Sequence, residues 1–331
     1  MTNQLLRSRL ACMCVILMSL CFGRSAFSAE GTKPFRIGVL GPGSNWRGQP
    51  PFLIDSELRK LGYVEGENLI YEYRGAHGDP DRYSNAAEEL VKLNVNVIIA
   101  VANQGAFAAQ RATRKIPIVV WGAHGALETG LVTNLRRPGG NLTGIDSLAP
   151  AVASKRVELL KELVPRLESV TVIFDAEDLG SAVHLKSTRA AAQAYGVAVN
   201  PIPIRRDADV APAFSSMSGK PVDGLIPFNS PIMFRNWPKF VEFSMVNRLP
   251  TICEWRELVK AGCLMSYGSN IIEYAQRNAA QIDKILKGAR PGDLPIEQMS
   301  KFELVINLKT AKLLGLVVPQ ALLIRADELF E

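Results

Sequence analysis

The sequence is poor in the groups from which reactive centres are built. Three histidines occur in 331 residues, His77, His124 and His184, and they share no metal-ligand spacing with one another or with cysteine. There is no Gly-x-Ser-x-Gly elbow, no P-loop and no His-Glu-x-x-His. Nothing in the sequence therefore argues for an enzyme, and no catalytic residue, metal or cofactor is assigned. Charged residues are 21% of the chain, and they form no Lys/Arg block and no basic–aromatic interleaving, so no nucleic acid is expected as a partner. Paired acids such as Glu88-Glu89 fall on a predicted helix surface, where they are solvated. Mean hydropathy is only +0.08, which excludes a polytopic membrane protein. Low-complexity tracts are absent as well. With 47% hydrophobic residues, the composition is that of an ordinary globular chain, and its length suggests two domains of roughly 100–200 residues each.

What is present begins with a leader. Arg7 and Arg9 precede an apolar run, Leu10–Phe22, and Ala26 and Ser28 place small residues before Ala29. This predicts a secretory signal peptide over residues 1–28. The run is short of the roughly 20 apolar residues that span a bilayer. An uncleaved anchor, or lipid attachment at Cys21, are the alternatives, although Leu20 stands where a lipobox wants a small residue. Residues 1–28 carry three arginines and no acid, so without them the net charge falls from +6 to +3. Cys12, Cys14 and Cys21 leave with the leader. Cys253 and Cys263 remain, either as a disulfide in an exported protein or as two separate buried side chains. A chain of this size buries a large core without such staples.

From Phe35 the pattern alternates between strand and helix. Strands are expected at 35–40, 68–73, 95–101, 116–120, 169–174, 197–204, 222–227 and 249–253, with extended segments at 263–267 and 302–306. Helices are expected at 51–61, 79–93, 103–114, 154–163, 181–195, 232–247, 254–261, 270–286 and 308–314. Val95 to Val101 is nearly all apolar, as a strand buried on both faces must be. Asp79-Pro80-Asp81 reads as an N-cap followed by a first-turn proline. The alternation predicts an α/β fold with parallel sheets, helices on both faces and right-handed crossovers. Two such regions of similar size meet near residues 144–153.

Three loops at strand ends are candidate ligand contacts, because open α/β sheets bind ligands at the carboxyl edge of their strands. Gly41-Pro42-Gly43-Ser44-Asn45-Trp46 half-resembles a dinucleotide fingerprint, but Trp46 stands where close helix packing needs glycine, and a ligand-facing loop is the better reading. Asn103-Gln104-Gly105 opens a helix, where backbone N–H groups receive an anion or Asn103 serves as an N-cap. Trp121-Gly122-Ala123-His124-Gly125-Ala126 brings an aromatic ring and an imidazole to a glycine-rich loop. Arg136-Arg137-Pro138-Gly139-Gly140-Asn141 reads as a structural turn.

Several longer stretches carry a family resemblance. They are Phe35–Leu40, Leu61-Gly62-Tyr63-Val64-Glu65-Gly66-Glu67-Asn68, Arg137-Pro138-Gly139-Gly140-Asn141-Leu142-Thr143-Gly144, Lys155–Pro165, Gly262–Gly268, Lys284–Gly288, Leu294–Gln298, Phe302–Ala311 and Arg325–Glu328. Together they make the chain similar to the ABC transporter substrate-binding protein family that includes tryptophan- and tyrosine-binding members, over essentially all of residues 35–331. Two departures stand out. Members often carry Asp-Pro-Val where this chain has Gly122-Ala123-His124 and its neighbours, and usually glycine at Cys263.

The resemblance implies a type 1 periplasmic-binding-protein fold: two Rossmann-like lobes with parallel sheets, joined by three crossovers near Asp146, Tyr267 and Lys301. The expected lobes are 34–146 plus 268–300, and 147–267 plus 301–331. It also implies a periplasmic, monomeric protein that captures a small solute, an amino acid or an aromatic compound, and delivers it to the permease and ATPase subunits of an inner-membrane importer. A ligand-binding sensor for a membrane receptor is the alternative. Residues at strand ends are the expected ligand contacts: Ser44, Asn45, Trp46, Asn103, Gln104, Trp121 and His124 from the first lobe, and Asp175, Ser181, Asn229, Ser230 and Glu254 from the second, with Tyr267 at a crossover. Asp175 or Glu254 would meet a ligand amine and the helix start at Asn103 a carboxylate.

Overall fold

The computed structural model of the protein describes residues 33–42, 53–76, 79, 81–147, 149–218 and 222–331. Ser44, Asn45, Trp46, His77 and the leader lie outside them. The elements run β1 (Phe35–Gly41), α1 (Leu53–Lys60), β2 (Leu69–Gly75), α2 (Arg82–Lys92), β3 (Val97–Val101), α3 (Ala102–Ala112), β4 (Ile118–His124), β5 (Leu142–Ser147), α4 (Ala149–Leu163), β6 (Ser169–Asp175), α5 (Leu179–Ala194) and β7 (Ala198–Ile204). They continue through α6 (Val210–Met217), β8 (Leu225–Pro227), α7 (Pro231–Val246), β9 (Ile252–Cys253), α8 (Arg256–Lys260), β10 (Met265–Ser269), α9 (Ile271–Leu286), β11 (Ile296–Gln298), β12 (Phe302–Asn307), α10 (Leu308–Leu313), α11 (Gln320–Arg325) and β13 (Glu328–Phe330).

The first lobe is a parallel sheet in the order β11-β5-β4-β3-β1-β2. Successive residues of a strand face opposite ways, and β3 shows it plainly. Val97, Ile99 and Val101 join the apolar cluster beneath α1 and α9, whereas Ile98 and Ala100 join the one beneath α2 and α3. Burying each valine or isoleucine contributes about 1.5–3 kcal/mol, so a central strand with no polar side chain is held from both sides. The second lobe has β7-β6-β8 and β13-β12-β10-β9, linked by a bridge between Leu225 and Thr251 and by the Leu225 N–H donating to the Pro250 carbonyl at 2.9 Å.

The chain crosses between the lobes three times: after β5, between β10 and α9, and between β11 and β12. The second lobe departs from the all-parallel expectation in one place, since β12 runs antiparallel to β10. The reason is geometric. The chain leaves the second lobe at Ser269 and re-enters at Phe302, which pairs directly with Ser269, so β12 must run back along the strand by which the chain left. Near the crossovers Gln298 also pairs with Asp146.

Several boundaries are tighter than the sequence suggests. The helix expected from Asp79 starts at Arg82, and the strands expected at 222–227 and 249–253 contract to Leu225–Pro227 and Ile252–Cys253. Cys253 and Cys263 are both free and buried, and both thiols donate to the Met265 carbonyl, at 3.3 and 3.2 Å. No helix among the described residues is long and apolar enough to cross a membrane.

Close contact of β4 and β5 depends on Gly144. Its φ is +145°, and a Cβ built there lies 2.5 Å from both the N and O of Val120. The substitution Gly144→Ala adds backbone strain to a clash with backbone atoms that have nowhere to move. We expect it to cost about 2–4 kcal/mol in guanidinium unfolding. A loss below about 0.5 kcal/mol would show that the strands slide apart freely.

Candidate functional site

In both lobes the strand order reverses around the first strand, next to β3 in one and β8 in the other, and ligands of open α/β sheets bind outside the carboxyl ends at such points. Here the two carboxyl edges face each other. The first brings Pro42, the start of α3 and the end of β4; the second brings Asp175, Ser230 and Glu254.

Asn103 occupies the first of these positions, but not as an N-cap. The helix begins one residue earlier than expected, with Val101 as the cap residue and no side-chain capping bond. Ala102 sits at φ +55°, which turns Asn103 inward. Its Oδ1 accepts the His124 N–H at 2.9 Å and its Nδ2 donates to the His124 carbonyl at 3.0 Å. Asn103 is fully buried and clamps the loop after β4. The same loop is held by Asp146, whose Oδ1 accepts the Gly125 N–H at 2.9 Å.

The clamp aims His124 across the lobe boundary. Its ring stacks on His184 of α5, centroids 5.2 Å apart, and His184 in turn packs on Phe228 at 4.8 Å. His124 Nδ1 lies 3.9 Å from Asp178 Oδ2. Burial alone would push the His124 pKa down, but the facing Asp178 carboxylate, with the charges of Glu254 and Asp146, leaves it raised. His184 is pushed well down by burial, by His124 and by Arg156. Approach is closest at Gly180, where a Cβ would lie 2.6 Å from the Cβ of His124. Asp178 caps α5 by accepting the Gly180 N–H at 3.2 Å, and Ser181 is buried in the first turn of that helix, its N–H donating to the Asp178 carbonyl at 2.9 Å.

Beside this contact a pocket spans the lobes. Pro42, Tyr83 and Gln104 line it from the first, and Asp175, Ile232 and Arg235 from the second. Gln104 Nε2 donates to Asp175 Oδ2 across the gap at 3.4 Å, and Asp175 Oδ1 accepts the Glu177 N–H at 3.0 Å. Asp175 is only 2% exposed. Burial pushes its carboxyl up to about 7, with the neighbouring Asp178 adding to the rise and the bonds from Glu177 and Gln104 opposing it. Asp146 rises to about 6 from burial, against the lowering effect of His124.

The remaining candidates divide by location. Ser230 is buried and its Oγ caps α7 by accepting the Met233 N–H at 3.2 Å; Asn229 before it is half-buried. Glu254 lies 3.6 Å from Arg156, and Arg156 Nε donates to the Tyr267 carbonyl at 2.9 Å. Arg156 Nη2 and Glu254 Oε2 have no hydrogen-bond partner among the described residues. Tyr267 is half-buried beside Phe302, rings 5.9 Å apart. Trp121 lies in the core, not in the pocket lining. Its ring packs on Tyr274 of α9 at 5.1 Å, in the cluster under α1. Arg156, Asp178 and His184 at the boundary and Tyr83 and Arg235 in the pocket were not among the expected contacts. Helical periodicity files such residues as core or solvent face. Among the described residues no group of three or more His, Cys, Asp or Glu is placed to hold a metal ion.

Residues 53–330 match the family described as ABC transporter substrate binding protein. The curated "Tyrosine-binding protein" of Clostridioides difficile (strain R20291) is 27% identical over 265 residues, covering 78% of this chain and 74% of that protein. Among solved structures, a conserved domain protein from Vibrio cholerae superposes with a TM-score of 0.82 at 25% identity, over 90% of this chain and 100% of its own. An ABC domain from Streptococcus pneumoniae in complex with L-Trp gives 0.81 at 24% identity, with the same coverage.

The raised carboxyl of Asp175 makes stability depend on pH. Between its unfolded value of 3.8 and its folded value of about 7, the folded chain keeps a proton that the unfolded chain has lost. Stability from this group is therefore lost as pH rises through that window, by up to about 4 kcal/mol. His184 works in the opposite sense below its ordinary value, so the comparison of wild type with Asp175→Asn isolates the carboxyl. The stability of the variant relative to wild type in guanidinium unfolding should rise by about 3 kcal/mol between pH 4.5 and pH 7.5. An equal difference at both pH values would contradict the burial cause.

Proposed function

The chain belongs to the ABC transporter substrate-binding protein family, and from that premise we propose that it is the exported solute-capturing component of an importer. In this reading residues 1–28 are a signal peptide, and the mature protein works in the periplasm as a monomer. It closes 34–146 plus 268–300 onto 147–267 plus 301–331 around a small solute. The closed form hands that solute to the permease, which works with its ATPase subunits in the inner membrane. No catalytic step is part of this function.

The single observation that carries the reading is the meeting of polar groups from two lobes at facing strand ends, with half-buried Gln104 on one side and buried Asp175 on the other. A solute that satisfies both sides binds the closed arrangement better than the open one, and that difference is what drives closure. The candidate solute is an amino acid or an aromatic compound. The tyrosine-binding relative and the tryptophan-bound structure support that class without fixing the member.

Gln104, Asp175, Asn229, Ser230 and Glu254 are the proposed ligand contacts, together with Ser44, Asn45 and Trp46. Tyr267 contributes at the crossover. His124 and Ser181 act at the lobe contact, and Asn103 and Trp121 hold the first-lobe loops in place. A micromolar dissociation constant corresponds to about 8 kcal/mol, within reach of a few buried hydrogen bonds to charged groups at about 1.5–3 kcal/mol each.

The test is to purify the mature protein natively and identify its bound solute by mass spectrometry, then titrate that solute into the stripped protein. A stoichiometric small molecule is expected. Gln104→Ala, which removes one bridge between the lobes, should weaken binding by about tenfold or more. A protein that carries no solute and is stabilised by none in a panel of amino acids, aromatics and sugars would refute the reading.

A further inference from the structure

The lobe contact beside the pocket is crowded with charge. His124 and Asp146 come to it from the ends of β4 and β5, Asp178 and His184 from the start of α5, Arg156 from α4 and Glu254 from the end of β9, and all six are buried. Among these six residues Arg156 is the only permanent cation, against three acids. It is taken up by Glu254 at 3.6 Å and by the Tyr267 carbonyl at 2.9 Å, so the cationic partner left for Asp178 is His124. Asp178 Oδ1 accepts the Gly180 N–H, and Oδ2 lies 3.9 Å from His124 Nδ1.

This pair forms only across the boundary. The His124 backbone is held by Asn103 in the first lobe, and Asp178 is held by the start of α5 in the second. Gly180 lets the two come together, since a Cβ there would lie 2.6 Å from the Cβ of His124. The ring beneath is suited to the task. His184 stacks on His124 and is kept uncharged by burial, by His124 and by Arg156, so a protonated His124 rests on a neutral face. The other groups nearby are acids or neutral. Asp146 has Glu128 as a further acidic neighbour, Asp175 at the end of β6 interacts with Asp178, and the Tyr274 hydroxyl of α9 is neutral and donates to the Ile145 carbonyl at 3.0 Å.

We propose that the His124–Asp178 contact is a proton-operated latch between the lobes, which favours the closed form when His124 is protonated and releases it when the proton leaves. The latch goes beyond the solute-binding reading and uses its premise that the lobes open and close. In open lobes the imidazole meets water and titrates near its ordinary 6.5; in the closed form burial pulls that value down, but Asp178, Glu254 and Asp146 outweigh burial and leave it raised. The closed form therefore holds the proton more tightly, and protonation and closure favour each other to the same extent. The contribution is complete below 6.5 and is lost as pH rises through the raised value. Each unit between the two changes the closing equilibrium about tenfold. Burial makes Asp146 and Asp175 hold protons too, so the latch is the part of the pH response that depends on His124 and Asp178.

The test follows the imidazole NMR signals of the full mature protein, free of solute, through a pH titration; the full sequence has three histidines, and His124 is the signal missing from His124→Gln. Small-angle X-ray scattering at pH 5.5 and pH 8.5 reads closure in the same samples. Asp178→Asn keeps an oxygen to cap α5 and removes the charge. In wild type His124 should titrate above 6.5, and in Asp178→Asn its midpoint should fall. The radius of gyration of wild type should be smaller at pH 5.5 than at pH 8.5, and this contraction should be reduced in both variants. If His124→Gln does not fold, Asp178→Asn decides alone, because the signal that titrates above 6.5 and moves in that variant belongs to the latch. A His124 midpoint at or below 6.5, or one that Asp178→Asn leaves in place, would show that the pair does not form. The same contraction in wild type and variants, or none in any of them, would show that the pair does not govern closure. Either result overturns the latch and leaves the solute-binding reading standing, since that reading is decided by the recovered solute.

Discussion

A charge taken out of water costs several kcal/mol unless a partner meets it, and the boundary between these lobes buries several. Some are met within the protein. Asp146 receives the Gly125 N–H, Asp178 caps α5 and faces His124, and Asp207 holds two of the three guanidinium nitrogens of Arg235. Others are not. Among the described residues, Asp175 has neutral donors only, and Tyr83 Oη and Arg235 Nη1 have no hydrogen-bond partner. In the proposed function a bound solute is what meets charges at this boundary. Ligand selection and lobe closure are in this account one electrostatic problem.

The fold is what brings these groups to one place. Two doubly wound sheets reverse their strand order next to β1 and β6, and three short crossovers face the two reversal points towards each other. The pairing of Ser269 with Phe302, which forces β12 to run backwards, keeps two of the crossovers side by side. The lobe contact beside the pocket is made by small or flat groups: Gly180 against His124, and the stacked rings of His124 and His184. A bulky side chain at Gly180 would hold the cleft ajar.

Much of this architecture is legible in the sequence. The unbroken apolar run of β3 announces a strand covered on both faces, and the family resemblance extends the alternation to two lobes and three crossovers. Gln104 and Asp175 were legible as strand-end residues, and they do meet across the gap. Trp121 illustrates a signal that was present and outweighed. Val119 and Trp121 lie two apart on one strand, so they share a face, and that face is core. Asn103 depended on a left-handed Ala102, a conformation that no residue preference announces. Tyr83 and Arg235 were hidden for another reason. Each occupies an unremarkable place in an amphipathic helix, and that both line one pocket appears only when α2 and α7 converge from segments far apart in the chain.

The central claim is that a solute supplies what the closed lobes lack. It is tested most directly by small-angle X-ray scattering of the mature protein, stripped of solute under mild denaturant and refolded, before and after addition of the solute recovered from the native preparation. The account predicts a larger radius of gyration for the stripped protein and a return to the compact value at one equivalent of solute. The same compact radius in both samples would mean that the lobes close without a ligand and that the buried charges are balanced by the protein alone.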